Sequence, residues 1–184
     1  MGLFDNIGAP PAQNTQQSSG NKTVDVVFAK LPDNFAEFTA LPQAAMDDPF
    51  KTAALTVLAL CFYPQDKDAC IQMLNFLKGP QHLSTYEQQF LADRFRDADY
   101  VPRSYFSGAV PGNDYKPAQP YTVRVSENPY TYQDSGYAKL YLQSGGADSP
   151  RPIQLRLAKD VKWYLWEQFL LAGIRPPEST NPWA

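Results

Sequence analysis

Residues 136–177, GYAKLYLQSGGADSPRPIQLRLAKDVKWYLWEQFLLAGIRPP, hold two of the three tryptophans, alternating apolar runs and the chain's only Gly-Gly pair. Ala138, Leu140 and Leu142 alternate with Tyr137, Lys139, Tyr141 and Gln143. Ile153, Leu155 and Leu157 likewise alternate with Gln154, Arg156 and Ala158. A period of two is that of a strand with one buried face. Ser144–Pro150 reads as a polar loop between these strands. Lys162–Glu167 is a further strand with large residues on both faces, Trp163 and Leu165 on one, Tyr164 and Trp166 on the other, so its second face needs a cover. The helical first half of the chain is the expected cover.

Outward from this stretch, Tyr121–Ser126 gives another strand, with Tyr121, Val123 and Val125 on one face, broken by Asn128-Pro129. The β-branched run Val24–Ala29 adds one more. Between them lies a helical block. Phe35, Phe38 and Leu41 recur at three-residue spacing up to Pro42. Asp48-Pro49 supplies an N-cap and a first-turn proline for a helix to about Phe62 that has hardly any polar face and must sit at the centre of the fold. Asp66 caps a second helix carrying Ala69, Cys70, Met73, Leu74 and Leu77, ended by Gly79-Pro80. Ser84 and Glu87 form a capping box for a third, to about Asp97, with Tyr86, Phe90 and Leu91 expected to face inward. Val101–Pro120, with its prolines, glycines and aromatics, reads as an ordered loop leading from helices to sheet. The tail from Ile174 is expected to be non-helical, with Trp183 packed back on the domain.

These patterns predict an α+β domain over residues 24–184: about three helices on one face of a four- to five-stranded antiparallel sheet, cone-like if the sheet curves. Residues 1–23, poor in apolar side chains after Ile7, read as a disordered leader. For its first seven residues a frayed terminus is the favoured expectation; the alternative is one amphipathic turn that docks on a partner or a membrane surface, with too little apolar area for firm anchoring.

Composition narrows the function classes. A net charge of −3 argues against nucleic acid as partner, which needs a basic face. Acids outnumber bases ten to five between Leu31 and Tyr100, but bases outnumber acids nine to seven from Val101 onward, so a local anion site in the sheet half stays open. No apolar run is long enough to span a membrane. Cys61 and Cys70 fall inside helical patterns and read as reduced core thiols, which points to a cytoplasmic protein. No metal site is expected from two cysteines and the single histidine, His82, and no cofactor motif is present. No catalytic set emerges either: one would have to use His82, yet neither cysteine reads as exposed and there is no G-x-S-x-G.

Two clusters remain as candidate sites. In the first, Gly145 and Gly146 permit left-handed backbone whose N–H groups converge on an anion, with Asp148, Arg151 and Arg175 nearby. The commoner alternative is a connection whose charged groups satisfy each other or the loop. The two arginines sit beside prolines and are therefore held more rigidly than surface arginines, and an internal partner such as Asp148 is the favoured expectation. The second cluster, Tyr105, Asn113, Asp114 and Tyr115, offers groups for a polar pocket, or core aromatics beside a turn.

The strings DPFKTAAL, MLNFLKGPQHLSTYEQQFLADR, YVPRSYFSGAVPGNDYKP, SGGADSPRPIQLR, WYLWE and GIRPPESTNPWA, in this order, resemble a family of uncharacterised bacterial domains. The likeness runs from roughly Pro49 to the C-terminus and implies a bacterial intracellular protein, with no catalytic residue to carry over. By element order alone the chain is also similar to the nuclear-transport-factor-like cone, whose members include enzymes and pure binding or dimerisation modules. The leading expectation is a non-catalytic binding or protein-interaction module that takes a protein partner or a small acidic ligand, with a homodimer as a further option. The alternative is a hydrolase- or isomerase-like enzyme using carboxylates and tyrosines in a cleft between helices and sheet.

Overall fold

The computed structural model describes residues 21–183. The leader read at residues 1–23 therefore lies almost wholly outside the described residues. Five strands, β1 (Thr23–Phe28), β2 (Tyr121–Ser126), β3 (Tyr137–Leu142), β4 (Arg151–Leu157) and β5 (Trp163–Gln168), form one sheet in the order of the chain. Every neighbouring pair is antiparallel. Four α-helices lie between β1 and β2: α1 (Phe35–Thr39), α2 (Pro49–Cys61), α3 (Lys67–Lys78) and α4 (Thr85–Phe95). The α+β architecture expected from the apolar periods is the one observed, with a short fourth helix in the Phe35–Leu41 segment.

The alternation sets the sheet's faces. Val123 and Val125, Ala138, Leu140 and Leu142, and Ile153 and Leu155 are all fully buried on the inner face. Helix α2 lies against that face and touches all five strands. From Thr52 to Leu60 its residues are at most 1% exposed, as a helix without a polar side must be. Its two threonines satisfy their hydroxyls there: Thr56 donates to the Thr52 carbonyl (2.9 Å) and Thr52 to the Trp163 carbonyl (2.7 Å). The caps are those the sequence implies. Asp48 accepts from Phe50 N–H, Asp66 from Ala69 N–H, and Ser84 and Glu87 form a complete capping box.

Each sheet edge has some of its outward backbone groups taken by side chains or loops. At β5 the Trp163 N–H donates to the Met46 carbonyl (2.8 Å) and the Lys78 ammonium to the Trp166 carbonyl (3.2 Å). At β1 the Gln43 amide donates to the Val27 carbonyl (3.0 Å). In the interior of the sheet β2 and β3 pair over only two residue pairs, Val125 with Leu142 and Ser126 with Tyr141. The remaining edge of β2 pairs instead with the 101–120 loop, through a bridge between Phe106 and Val123 and the bond from Ser107 N–H to the Thr122 carbonyl (2.8 Å). The loop is thus a wedge in the sheet, with Tyr105, Phe106 and Tyr115 buried.

Three expectations need correction. Tyr86 does not face inward: it is 77% exposed, because the buried stripe of α4 narrows to Leu91 and Phe95. Trp183 does not pack on the domain and is 92% exposed; the tail before it makes a single 3₁₀ turn, Glu178–Thr180, rather than staying wholly non-helical. The outer aromatic face of β5 is not covered by the helical layer alone. Tyr164 leans over the sheet edge onto Gly79 at the end of α3, but Trp166 is covered by neighbouring strands, with the Arg156 guanidinium 4.7 Å and the Tyr137 ring 5.8 Å from its ring.

Candidate functional site

The two candidate clusters meet, and what they enclose is the chain's own C-terminal segment. Residues 170–175 run beside the wedge loop with their carbonyls presented to it. Tyr105 donates its hydroxyl to the Leu170 carbonyl, Tyr100 to that of Ile174 (3.3 Å) and Tyr115 to that of Arg175. Arg151 donates to the carbonyls of Ala172 (3.0 Å) and Gly173 (2.7 Å) and, at its third nitrogen, to Ser149. The Arg175 N–H donates to the Gly146 carbonyl (2.9 Å). Burial pushes the hydroxyls of Tyr100, Tyr105 and Tyr115 above the usual tyrosine range, so they remain protonated donors throughout the neutral range.

The glycines serve close approach rather than left-handed backbone. Neither Gly145 nor Gly146 has a positive φ. A Cβ on Gly145 would lie 1.9 Å from the Ala109 carbonyl oxygen, and one on Gly146 would lie 2.0 Å from the Tyr115 hydroxyl. Their N–H groups are also taken: Gly145 donates to the Ser104 carbonyl (2.9 Å) and Gly146 to the Ser144 hydroxyl (3.0 Å). The left-handed residues are Asp114 and Tyr115, at φ of 54° and 55°, a conformation that costs an L-residue about 1–2 kcal/mol each. That turn carries the Tyr115 ring into the core, where it stacks on Tyr100 at 5.5 Å. Asn113 holds the turn with bonds to Val110, Lys116 and Gly108, while Asp114 accepts from Ser179. Asp148 pairs with Arg175 at 2.8 Å, but both are largely exposed, so the pair contributes little. Together these residues form a clasp on residues 170–175, its donors engaged within the chain.

Besides a depression of about 360 Å³ at the clasp itself, lined by Tyr105, Ser144 and Gly145 among others, an apolar concave surface lies between α3, α4 and β5. It is a cleft of about 290 Å³ walled by Leu60, Leu74, Leu83, Phe90, Leu91 and Leu165, with Tyr86 and Phe169 at its rim and the Trp166 carbonyl bonded to Lys78 beside it. Tyr86 and Phe169 are 77% and 50% exposed, although both are large and aromatic. One buried charge sits in its floor: the Lys78 side chain is 8% exposed and reaches Glu87 at 2.9 Å and the Trp166 carbonyl at 3.2 Å. Burial would raise the Glu87 carboxyl, but hydrogen bonds from the Ser84 backbone, Lys78 and the Ser84 hydroxyl outweigh it and hold the group below the usual range. The pair ties α3, α4 and β5 together at the base of the cleft. Among the described residues no group of histidine, cysteine and carboxylate side chains could hold a metal ion. None of these helices is long and apolar enough to cross a membrane.

The cleft's lining was not singled out in the sequence because it comes from α2, α3, α4, β5 and the turn at Leu83, which are far apart along the chain. One signal was present: Lys78 lies four residues after Leu74 and eight after Cys70, on the apolar stripe of α3, where a lysine needs a buried partner. Phe169, just past the end of β5, gave none.

An antiparallel meander with a buried helix across its inner face, a clasped C-terminal segment and an apolar side cleft defines an α+β domain whose described ionisable groups are mostly spent on its own structure. The chain belongs to the family described as a domain of unknown function, DUF6935, whose model matches residues 30–178. No curated protein and no solved structure matches it.

Proposed function

We propose that the protein is a non-catalytic binding module that takes an apolar protein segment in the cleft between α3, α4 and β5. The observation that carries this reading is the rim: two exposed aromatic side chains, Tyr86 and Phe169, stand over a wall of leucines and Phe90. Exposed aromatics around an apolar depression are the composition of protein-binding hot spots. The buried pair in the floor supports binding over catalysis, since Lys78 and Glu87 saturate each other and Glu87 holds its proton less tightly than an ordinary glutamate. A reducing, cytoplasmic setting suits this role. Cys61 and Cys70 are both free, and burial pushes both thiols up to about 12, so neither is poised as a reactive thiolate.

The test is selection of random peptides on the intact protein, followed by affinity measurement on a Tyr86→Lys/Phe169→Lys variant. Because both side chains are exposed, the variant is expected to keep its melting temperature while losing about tenfold or more in affinity for the selected apolar peptides. Failure to enrich apolar peptides, or equal binding by the variant, would overturn the proposal.

A further inference from the structure

We infer that the outer face of the sheet is a second docking surface, and that it takes an acidic segment of a partner protein whose carboxylate seats on Arg156. Its occupancy does not depend on the cleft. Helix α2 lies against the inner face. On the opposite face β3 presents Tyr137, Lys139 and Tyr141, β4 presents Gln154 and Arg156, and the Trp166 ring of β5 lies beside Arg156. Lys139 and Arg156 are exposed, while Gln154 and the three aromatic side chains are half-buried. Tryptophan, tyrosine and arginine are the residues that dominate protein-binding hot spots, and here they are grouped on one open face.

The chemistry this face lacks is an anion. Of the arginines on the sheet, Arg124 donates to both oxygens of Asp25 (2.7 and 2.8 Å), and Arg151 donates to the carbonyls of Ser149, Ala172 and Gly173. Arg156 has no acceptor among the described residues. Its guanidinium instead lies 4.7 Å from the centre of the Trp166 ring and 5.5 Å from that of Tyr137. Two rings hold the guanidinium in place and leave its N–H groups unbonded, so the fork is ordered before a ligand arrives and loses less freedom on binding. One edge of a guanidinium matches the two oxygens of a carboxylate.

The neighbours of Arg156 set the character of the partner. Tyr137 stands opposite Arg156 and Lys139 opposite Gln154, so Lys139 is the diagonal neighbour of Arg156 on the same face. Diagonal neighbours are about 7–8 Å apart, within reach of long side chains. The Lys139 ammonium and the Gln154 amide also have no partner among the described residues, and they add donors beside the guanidinium. Glu167, opposite Gln154 on β5, is the acid of this group, and it makes no ion pair with either cation. Two cations and one acid leave a single excess positive charge, which complements a local carboxylate. A nucleic-acid backbone needs a series of cations. The face is an open sheet rather than a concave pocket, which suits a segment laid along the strands over an enclosed small molecule.

The experiment selects random peptides on the full-length protein at low salt and follows those rich in aspartate and glutamate. Such peptides are expected to be enriched, and to lose about tenfold or more in affinity on Arg156→Gln. Arg156→Lys should lose nearly as much, because a lysine keeps the charge but not the fork. Tyr86→Ser/Phe169→Ser, at the cleft, should leave their affinity unchanged. Lys139→Glu alters none of the three stacked groups and should weaken binding with the melting temperature unmoved, which separates lost binding from lost folding. In the unaltered protein the Arg156 Nε–H and Trp166 indole N–H signals should shift on titration with a selected acidic peptide. No enrichment of acidic peptides, or full affinity in Arg156→Gln or Lys139→Glu, would overturn the inference. So would displacement of the peptides from this face by a single-stranded RNA oligonucleotide, or dimerisation of the unaltered protein that Arg156→Gln abolishes in sedimentation, since each names a different occupant.

Discussion

Gly145 and Gly146 leave room for atoms that cannot move away. The atom facing Gly145 is a backbone carbonyl, 1.9 Å from where a Cβ would stand, so Gly145→Ala must displace the wedge loop. It is expected to destabilise the fold by about 1–3 kcal/mol, the usual range for overpacking, in a chemical-denaturation experiment. Gly136→Ala serves as the contrast: nothing lies within 4 Å of its Cβ position, and only its φ of +79° resists substitution. It should cost about 1 kcal/mol. Arg151→Ala removes a guanidinium that holds three carbonyls, and the melting temperature should fall by an amount equivalent to about 1–3 kcal/mol, the range for bonds to a charged group. The sequence showed that the Gly-Gly pair and Arg151 were constrained, since prolines and glycines punctuate both sides. It could not show that the constraint was another part of the chain, because the contacts join residues 145–151 to 104–115 and 170–175, and no local pattern encodes that.

At the scale of elements, the helices were legible because their caps and stripes are local chemistry. Asp48-Pro49, Asp66 and Ser84 with Glu87 place three helix starts at the observed residues. Tyr86 was misjudged because on a helix with one narrow buried stripe, an aromatic at the rim of a cleft and one in the core have the same spacing. That Lys78 needs a buried partner was legible, but Glu87 as that partner was not: Glu87 is explained fully by its capping box, and only the fold brings α3 back beside it. Lys78→Met keeps the stem's packing but removes the charge. It should destabilise by about 1–3 kcal/mol, because Glu87 and the Trp166 carbonyl lose their donor. The pair also makes a pH prediction. Glu87 has a lower pKa folded than unfolded, so the folded state binds fewer protons and this contribution is fully present above the unfolded glutamate value. It is lost as pH falls through the folded one. Denaturation midpoints followed from pH 7 down should show a smaller acid-induced loss in Glu87→Gln than in the unaltered protein.

For the whole molecule, the apolar period of two in the second half and the nearly all-apolar α2 sufficed to place helices on one face of an antiparallel sheet, because both signals report burial directly. The wedge between β2 and β3 was not legible, since it depends on a loop that pairs as if it were a strand. The proposed function divides the labour: the loop motifs clasp residues 170–175, and a partner is proposed to use the cleft between α3, α4 and β5. The three tryptophans sit in different places, the Trp166 ring on the outer sheet face with its carbonyl at the cleft, Trp163 packed against the core and Trp183 on the exposed tail. The most direct test is an NMR titration of the full-length protein with a cleft-selected apolar peptide, reading the three indole N–H signals and the backbone amides. The expected result is that the amides of Tyr86, Phe90, Trp166 and Phe169 shift while the Trp183 indole and the amides of Gly145, Gly146 and Tyr115 stay in place. Shifts concentrated at Gly145, Gly146, Tyr115 and Arg151, with Tyr86 and Phe169 unmoved, would contradict the proposal and return the clasp to the position of ligand site.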